Sequence, residues 1–304
     1  MYDIIVVGAG PAGLTAALYA RRAEKTVLVI EKSTFGGQIT HSPRVENYPG
    51  FAVMSGVEFA DKLIEQVMFQ GAEIELDTVI GVKGEAGNFT VECERGTFEG
   101  KTVIIATGAK HRQLGLDREN DFTGEGVSYC AVCDGAFYKG KDVAVIGGGN
   151  SALQEAILLA KTSKSVTVVQ NLHFLTGEIK LREEIEKLDN VKVILSSVVL
   201  EILGADKFEG IRIQNTETGE ESNLTVDSIF VAIGQQPDNE NFKDIVKLNE
   251  YGYIVSDESC IPEESVKGIF TAGDCRTKKI RQVTTAISDG ATAALEACAY
   301  LNQI

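Results

Sequence analysis

Two glycine-rich loops, each set between a short apolar run and a helical pattern, constrain this chain more than any other feature. Asp3-Ile-Ile-Val-Val7 runs into Gly8-Ala-Gly-Pro-Ala-Gly13; Leu14 to Arg22 then reads as a helix and Thr26-Val-Leu-Val-Ile30 as the next strand. A continuous apolar run of this length suits a parallel strand buried on both faces. The pattern returns 139 positions later. Asp142-Val-Ala-Val-Ile146 leads into Gly147-Gly-Gly-Asn-Ser-Ala152, followed by a helix over Leu153 to Leu159 and a strand over Ser165 to Val169. The fold class this implies is α/β, with two Rossmann-like dinucleotide-binding domains.

The remaining apolar strands suggest how the two are nested. Thr102-Val-Ile-Ile-Ala-Thr107-Gly108 closes the first half, and Ser228-Ile-Phe-Val-Ala-Ile-Gly234 closes the second. The tail, Gly268-Ile-Phe-Thr-Ala-Gly273-Asp274 with a final helix from Thr284 to Leu301, repeats neither half and reads as a return to the first domain. The expected division is residues 1–112 with 241–304 for the outer domain, and 113–240 for a domain inserted into it.

Gly8, Gly10 and Gly13 have the spacing that lets a turn close tightly, a backbone approach a pyrophosphate, and a helix pack against a strand. Pro11 and Ala12 complete that loop, and the amides at the helix start can hold phosphate oxygens. Glu31 ends the next strand, where an acid can bond a ribose hydroxyl. Gly273-Asp274 reads either as a capped turn or as a second contact to a bound dinucleotide. The chemical centre is Cys130-Ala-Val-Cys133. A two-residue spacer lets two thiols close a small ring, and thiol pKa falls readily in such pairs. Half a zinc site or two packed cysteines would also fit the pair. Zinc needs two more ligands, and no second pair exists among six cysteines and three histidines. Asp134, directly after, is placed either as an acid/base for the thiols or as a turn residue before Gly135.

Composition removes several function classes. A net charge of −15 opposes binding to nucleic acid or to an anionic membrane surface. No apolar stretch approaches the roughly 20 residues of a membrane span. Asp3 interrupts the first apolar run, so no secretory leader is read there, and the cysteines are too few and too scattered for a secreted disulfide framework. The expected compartment is the cytoplasm.

Taken together these residues resemble the low-molecular-weight thioredoxin reductases, of the FAD/NAD-linked reductase fold type, over the whole chain. The matching stretches are Gly8–Gly13, Gly36-Gly37-Gln38, Val45-Glu-Asn47-Tyr-Pro-Gly50, Cys130-Ala-Val-Cys-Asp-Gly135, Gly147–Ala152, Gly273-Asp274 and Arg281-Gln282. The resemblance implies a homodimer with FAD in the first domain, a dithiol that faces the flavin ring, and thioredoxin as partner. It makes Gly36, Gly37, Gln38, Asn47, Asp274 and Gln282 flavin contacts, and draws Thr107, Gly108, Gly273, Arg281 and Val283 into the same site. Which cysteine attacks thioredoxin is not readable from sequence. Because one dithiol serves both flavin and thioredoxin, the resemblance also implies a rotation about the crossings near residues 112 and 240.

One departure matters. Family members that use NADPH carry a His-Arg-Arg run and a further Arg just after the second strand of the inserted domain, where the cations grip a 2′-phosphate. Here that place reads Val168-Val-Gln-Asn-Leu-His-Phe-Leu-Thr176, with no Arg between Arg118 and Arg182. Gln170 and Asn171 also lack the acid that would hold the ribose diol of NADH. Lost charge-assisted bonds cost about 1.5–3 kcal/mol each. The chain therefore most resembles the ferredoxin-dependent flavin thioredoxin reductases, with reduced ferredoxin as the expected donor. An NAD(P)H enzyme with an atypical nucleotide site and an oxygen-dependent dithiol oxidase are the alternatives. Ferredoxins are usually acidic, so a local basic patch is expected for steering. Its candidates are Lys278, Lys279 and Arg281, with Lys110, Arg112, Arg21, Arg22 and Lys25.

Overall fold

The computed structural model describes residues 1–42 and 45–304. The chain divides into two compact units, Met1–Lys110 with Gln236–Ile304, and His111–Gln235. The crossings thus fall at 110/111 and 235/236, where the sequence placed them at 112/113 and 240/241. The crossing strands Ala109–His111 and Gln235–Pro237 pair as a two-stranded ribbon.

The first unit is built on a seven-stranded sheet. Its parallel part runs Glu73–Leu76, Val27–Glu31, Tyr2–Val7, Thr97–Ile105 and Ile269–Thr271, with Ile4 opposite Val27 and Thr102, and Val103 opposite Ile269. The first strand is buried along Ile4–Val7, as its unbroken apolar run requires. Val79–Glu85 and Asn88–Cys93 extend the sheet as an antiparallel hairpin that joins the far side of Thr97–Ile105.

Helices Pro11–Arg22 and Val283–Leu301 pack together on one face of this sheet. Their contact is lined by Ala12, Ala16, Ala17, Ala20, Ala293, Ala294 and Ala297. Small side chains bring the axes close: a Cβ on Gly290 would lie 2.1 Å from the Ala12 carbonyl oxygen. Ser55 starts helix Gly56–Phe69 by accepting the Glu58 amide on its hydroxyl, satisfying one orphan donor. The other sheet face is closed by a cluster that includes Phe89, Phe242 and Ile254.

The second unit holds a five-stranded parallel sheet in the order Val191–Ile194, Ser165–Val169, Asp142–Ile146, Ser228–Val231 and Val127–Ser128. Helix Asn150–Ala160 follows the second glycine loop and covers one face of it. A separate three-stranded antiparallel sheet, Ser197–Leu203, Gly210–Asn215 and Glu221–Leu224, supplies Ile202, Ile211 and Ile213 to the core on the other face. Among the described residues no helix is long and apolar enough to cross a membrane.

Candidate active site

The glycine loop of the first unit adopts the geometry its spacing predicts. Gly8 has φ +105°, and a Cβ there would lie 2.4 Å from the Ala106 carbonyl oxygen. Gly13 tolerates no side chain because its Cβ would fall 1.9 Å from the Gly8 carbonyl oxygen. Pro11 and Ala12 open the helix, where proline's missing N–H is no loss. The Gly36-Gly37 turn lies against this loop: the Gly36 amide donates to the Ala9 carbonyl at 2.8 Å, and a Cβ on Gly37 would meet Gly10 Cα at 3.1 Å. Gln38 follows in the short helical turn Gly37–His41.

Glu31 is buried at the end of its strand. One of its oxygens accepts the Ala9 amide at 2.8 Å and the other the Ser33 amide at 3.0 Å. The carboxylate therefore braces the loop as well as facing the cleft lined by Gly8, Glu31, Lys32, Thr107 and Asp238. Oε1 also accepts the Ser33 hydroxyl at 3.4 Å, whereas Oε2, which accepts the Ala9 amide, keeps a lone pair for a hydroxyl donor. Across that cleft Thr107 donates its hydroxyl to the Asn239 side-chain oxygen at 2.7 Å, Gly108 takes φ +69°, and Lys32 pairs with Asp238.

The C-terminal return completes this half of the site. Gly273 has φ +80°, and a Cβ there would meet Ala12 Cβ at 2.8 Å, so the turn sits on the start of the first helix. Asp274 is largely buried, and its Oδ1 has no hydrogen-bond partner within the protein. Burial pushes its pKa up, partly offset by Lys278 and Arg281. A buried carboxylate oxygen left bare is a place for an external donor such as a ribityl hydroxyl. Asn47 donates its side-chain amide to Gln282 at 3.2 Å across 235 positions of sequence. Gln282 caps helix Val283–Leu301, whose first residue is Val283, and Arg281 lays its guanidinium 4.3 Å from the centroid of Tyr253. Every residue assigned to the flavin thus lies in the first unit. Glycines that leave no room for side chains, a half-free Glu31 and an unpartnered Asp274 fit an extended dinucleotide.

Asp289 is a functional residue that the sequence reading missed. It lies buried in the last helix and receives Arg276 through both oxygens at 2.9 Å, Lys278 at 2.8 Å and the Gly273 amide at 3.0 Å. Burial opposes its charge, yet the bonds from Arg276 and Lys278 prevail and hold its pKa below the ordinary carboxylate range. This cluster fixes the turn that presents Asp274. It also corrects the expected basic patch. Lys278, at 5% side-chain exposure, is spent inside the fold, Arg281 is half-buried on Tyr253, and Arg21 donates to the Gln70 and Lys25 carbonyls. Lys25 bonds Asn302; Arg22, Lys110, Arg112 and Lys279 remain exposed.

In the second unit Cys130 and Cys133 form a disulfide, with Cα atoms 5.3 Å apart, at the start of the short helix Ala131–Asp134. The Cys133 amide donates to Cys130 Sγ at 3.2 Å. Ser128, also missed, holds the turn from both sides: its hydroxyl accepts the Cys130 amide at 3.1 Å and donates to Asp134 Oδ2 at 2.6 Å. Asp134 Oδ1 is buried without a partner. Burial raises its pKa and the Ser128 bond opposes the rise. A carboxyl of this kind can hold a proton beside two sulfurs. The other four cysteines are buried and free, and no cluster able to hold a metal occurs among the described residues.

The second glycine loop is formed, with Gly147 and Gly148 buried, Gly149 half-buried, and Asn150 and Ser151 exposed at the helix start. Gly147 has φ +127°, and a Cβ on Gly148 would meet the Gln170 side chain at 2.6 Å. Gln170 is buried and donates to the Phe174 carbonyl at 3.3 Å, while the Thr176 and Gly177 amides both donate to the Gly148 carbonyl at 2.9 Å. The turn Asn171–Phe174 that follows the strand is exposed and carries no Lys or Arg.

A family model described as pyridine nucleotide-disulphide oxidoreductase matches residues 2–290. A thioredoxin reductase of Listeria monocytogenes is 39% identical over 305 residues, covering 100% of this chain and 95% of that protein. The structure of a thioredoxin reductase from Streptococcus pyogenes superposes with a TM-score of 0.95 at 40% identity, over 100% of this chain and 99% of that one. A ferredoxin-flavin thioredoxin reductase from Clostridium acetobutylicum has a TM-score of 0.54 at 30% identity, over 100% and 99% of the two chains. The cofactor of these enzymes is FAD. The chain belongs to the pyridine nucleotide-disulphide oxidoreductase family, in its thioredoxin reductase group.

Proposed function

We propose that this chain reduces the disulfide of thioredoxin through Cys130 and Cys133, and draws its electrons from reduced ferredoxin. The observation that carries the reading is the Cys130–Cys133 disulfide with the half-buried Asp134 carboxyl beside it on the same turn, both held by Ser128. When bound, FAD supplies the electron pair that opens this disulfide. Gly8–Gly13, Glu31, the Gly36–Gln38 turn, Asn47, Asp274 and the Arg281–Val283 helix start would hold it.

Once reduced, one thiolate of the pair attacks the thioredoxin disulfide and forms a mixed disulfide. The second then displaces the thioredoxin sulfur, which leaves as a thiol, and Cys130–Cys133 is restored. The Cys133 amide, already directed at Cys130 Sγ, stabilises charge on that sulfur. Asp134 delivers the proton that the leaving sulfur needs, since burial keeps it protonated further up the pH scale than an exposed aspartate. One dithiol serves two partners in turn, so we include in the proposal a swing about the paired crossing strands, and a homodimer.

The donor assignment rests on the exposed turn beyond the second glycine loop, Asn171–Phe174, which carries no Lys or Arg. A 2′-phosphate there would forgo two or three charge-assisted bonds, which is about 100-fold or more in affinity. The well-formed Gly147 turn ahead of helix Asn150–Ala160 favours the alternative, a nicotinamide enzyme with an atypical site. Anaerobic competition separates them. Reduced ferredoxin should support thioredoxin thiol formation, while NADPH and NADH at matched concentration bleach the flavin about 100-fold more slowly or not at all. Fast bleaching by either nicotinamide refutes the ferredoxin assignment and leaves the dithiol chemistry standing.

A further inference from the structure

Behind the cysteine turn lies a second carboxyl that the chemistry above does not use. Glu155 projects from helix Asn150–Ala160, which packs against the short helix Ala131–Asp134. It accepts a hydrogen bond from the Ala131 backbone, the residue directly after Cys130. Its other capacity is unspent, because Oε2 is buried with no hydrogen-bond partner. Asp134, on the same turn, also keeps one buried bare oxygen. Two carboxyls, each with one bare buried oxygen, therefore adjoin the cysteine turn, one on it and one bonded to its Ala131 backbone.

We propose that Glu155 is a positioning and proton-holding residue of the dithiol centre, which braces the Ala131 amide and takes up a proton when Cys130–Cys133 is reduced. The inference rests on the dithiol reading given above.

The argument is one of charge. Reduction breaks the S–S bond with two electrons from the bound cofactor; one sulfur takes a proton and the other is left as a thiolate. With Asp134 and Glu155 both ionised, a thiolate would add a third negative charge at the cysteine turn, and like charges at short range in a poorly solvated place cannot all persist. A second proton entering at Glu155 removes one of the three charges. When the electron pair passes to the thioredoxin disulfide, the thiolate is consumed, and Glu155 releases its proton to restore the one that Asp134 hands to the departing sulfur. Electrons and protons balance over the cycle: two of each enter and two of each leave.

The surroundings suit the role. Burial pushes Glu155 up to about 7, the Ala131 hydrogen bond lowers it somewhat, and the Asp134 charge raises it again. The elements packed on its helix are the cysteine turn, strands Asp142–Ile146 and Ser165–Val169, and helix Ile179–Ile185. The Asp134 charge acts directly on Glu155, and Ile179–Ile185 carries Lys180, Arg182, Glu183 and Glu184. A group poised near neutrality responds to a new anion beside it. The pair Glu155 and Asp134 then titrates as a coupled unit.

The test is the pH profile of thiol alkylation in the reduced, FAD-loaded enzyme, with iodoacetamide as probe and mass spectrometry to assign the cysteine. In the wild type the thiolate should appear over a broadened pH range, because Glu155 loses its proton in the same window. In Glu155→Gln, which keeps an acceptor for Ala131, the curve should sharpen and its midpoint fall by about one unit, giving roughly tenfold faster alkylation below it. Identical profiles for both proteins would overturn this inference alone. If neither cysteine is alkylated after reduction, the dithiol reading falls with it. A second measurement needs only the wild type: reduced-minus-oxidised infrared spectra should show a gain of protonated carboxyl on reduction. No gain overturns the proposal even where the variant fails to fold.

Discussion

Replacing Cys133 by Ser lowers thioredoxin reduction to background, a loss of at least about 10³-fold, while FAD stays bound at wild-type stoichiometry. The scale is that seen when one member of a unit that acts together is removed. A serine hydroxyl cannot close a disulfide with Cys130, so the lone Cys130 can attack thioredoxin but cannot complete the exchange. Cys130→Ser should be equally inactive, because either sulfur is useless without the other. FAD retention is expected since every residue placed around it lies in the other compact unit. Thioredoxin thiols counted with a chromogenic reagent, against the flavin-to-protein ratio, make the measurement. Activity within tenfold of the wild type would remove the pair from the electron path.

Asp289→Ala is expected to cost about 3–5 kcal/mol and to release FAD, for a different physical reason. The substitution leaves Lys278 buried without its counter-charge, and leaves Arg276, at 1% exposure, with only the exposed Glu258 carboxylate at 3.5 Å. It also frees the Gly273 amide, so the turn that carries Asp274 loses its anchor. Asp289→Asn keeps the acceptor and should fall between the two. The sign of the pH dependence follows from the lowered pKa. A carboxylate held below its unfolded value contributes stability that is full above that value and is lost as pH falls through the folded one. The cluster therefore stays intact across the neutral range and fails only in acid below about pH 4. Denaturant midpoints read by flavin release would check both variants. A change under about 1 kcal/mol for Asp289→Ala would mean that the cluster does not hold the turn.

How far the sequence carried this account depended on where each role is encoded. The two glycine loops were legible because the constraint is local: Gly8 and Gly13 have no space for a Cβ, and the residues that exclude it lie nearby or in the adjoining strand. The flanking strands followed from their apolar runs. The three-stranded sheet over residues 197–224 was not read, since strands such as Glu221–Leu224 are largely exposed and carry no apolar pattern. The crossings moved by a few residues because Gln235–Pro237 pairs as a strand before the chain re-enters the first unit.

Side-chain roles that depend on distant partners were the least visible. Glu31 was assigned to a ribose, and the structure adds a bracing role through Ala9 and Ser33. Lys278 looked like a steering cation until Asp289 was seen to bury it. One signal was available: Asp289 stands among small and apolar residues in Val283–Leu301, which carries only one other acid, Glu296, and a charge buried there requires a partner. Ser128 sits only two positions before Cys130, but its two hydrogen bonds, one accepted and one donated, appear only once the turn is folded.

The central claim, that electrons pass from FAD through the Cys130–Cys133 couple, is tested most directly by anaerobic reductive titration with an electron count. The wild-type enzyme should accept about four electrons, two for the flavin and two for the disulfide, whereas Cys133→Ser should accept about two. A wild type that saturates at about two electrons, the same as the variant, would show that the disulfide does not communicate with the flavin and would contradict the account.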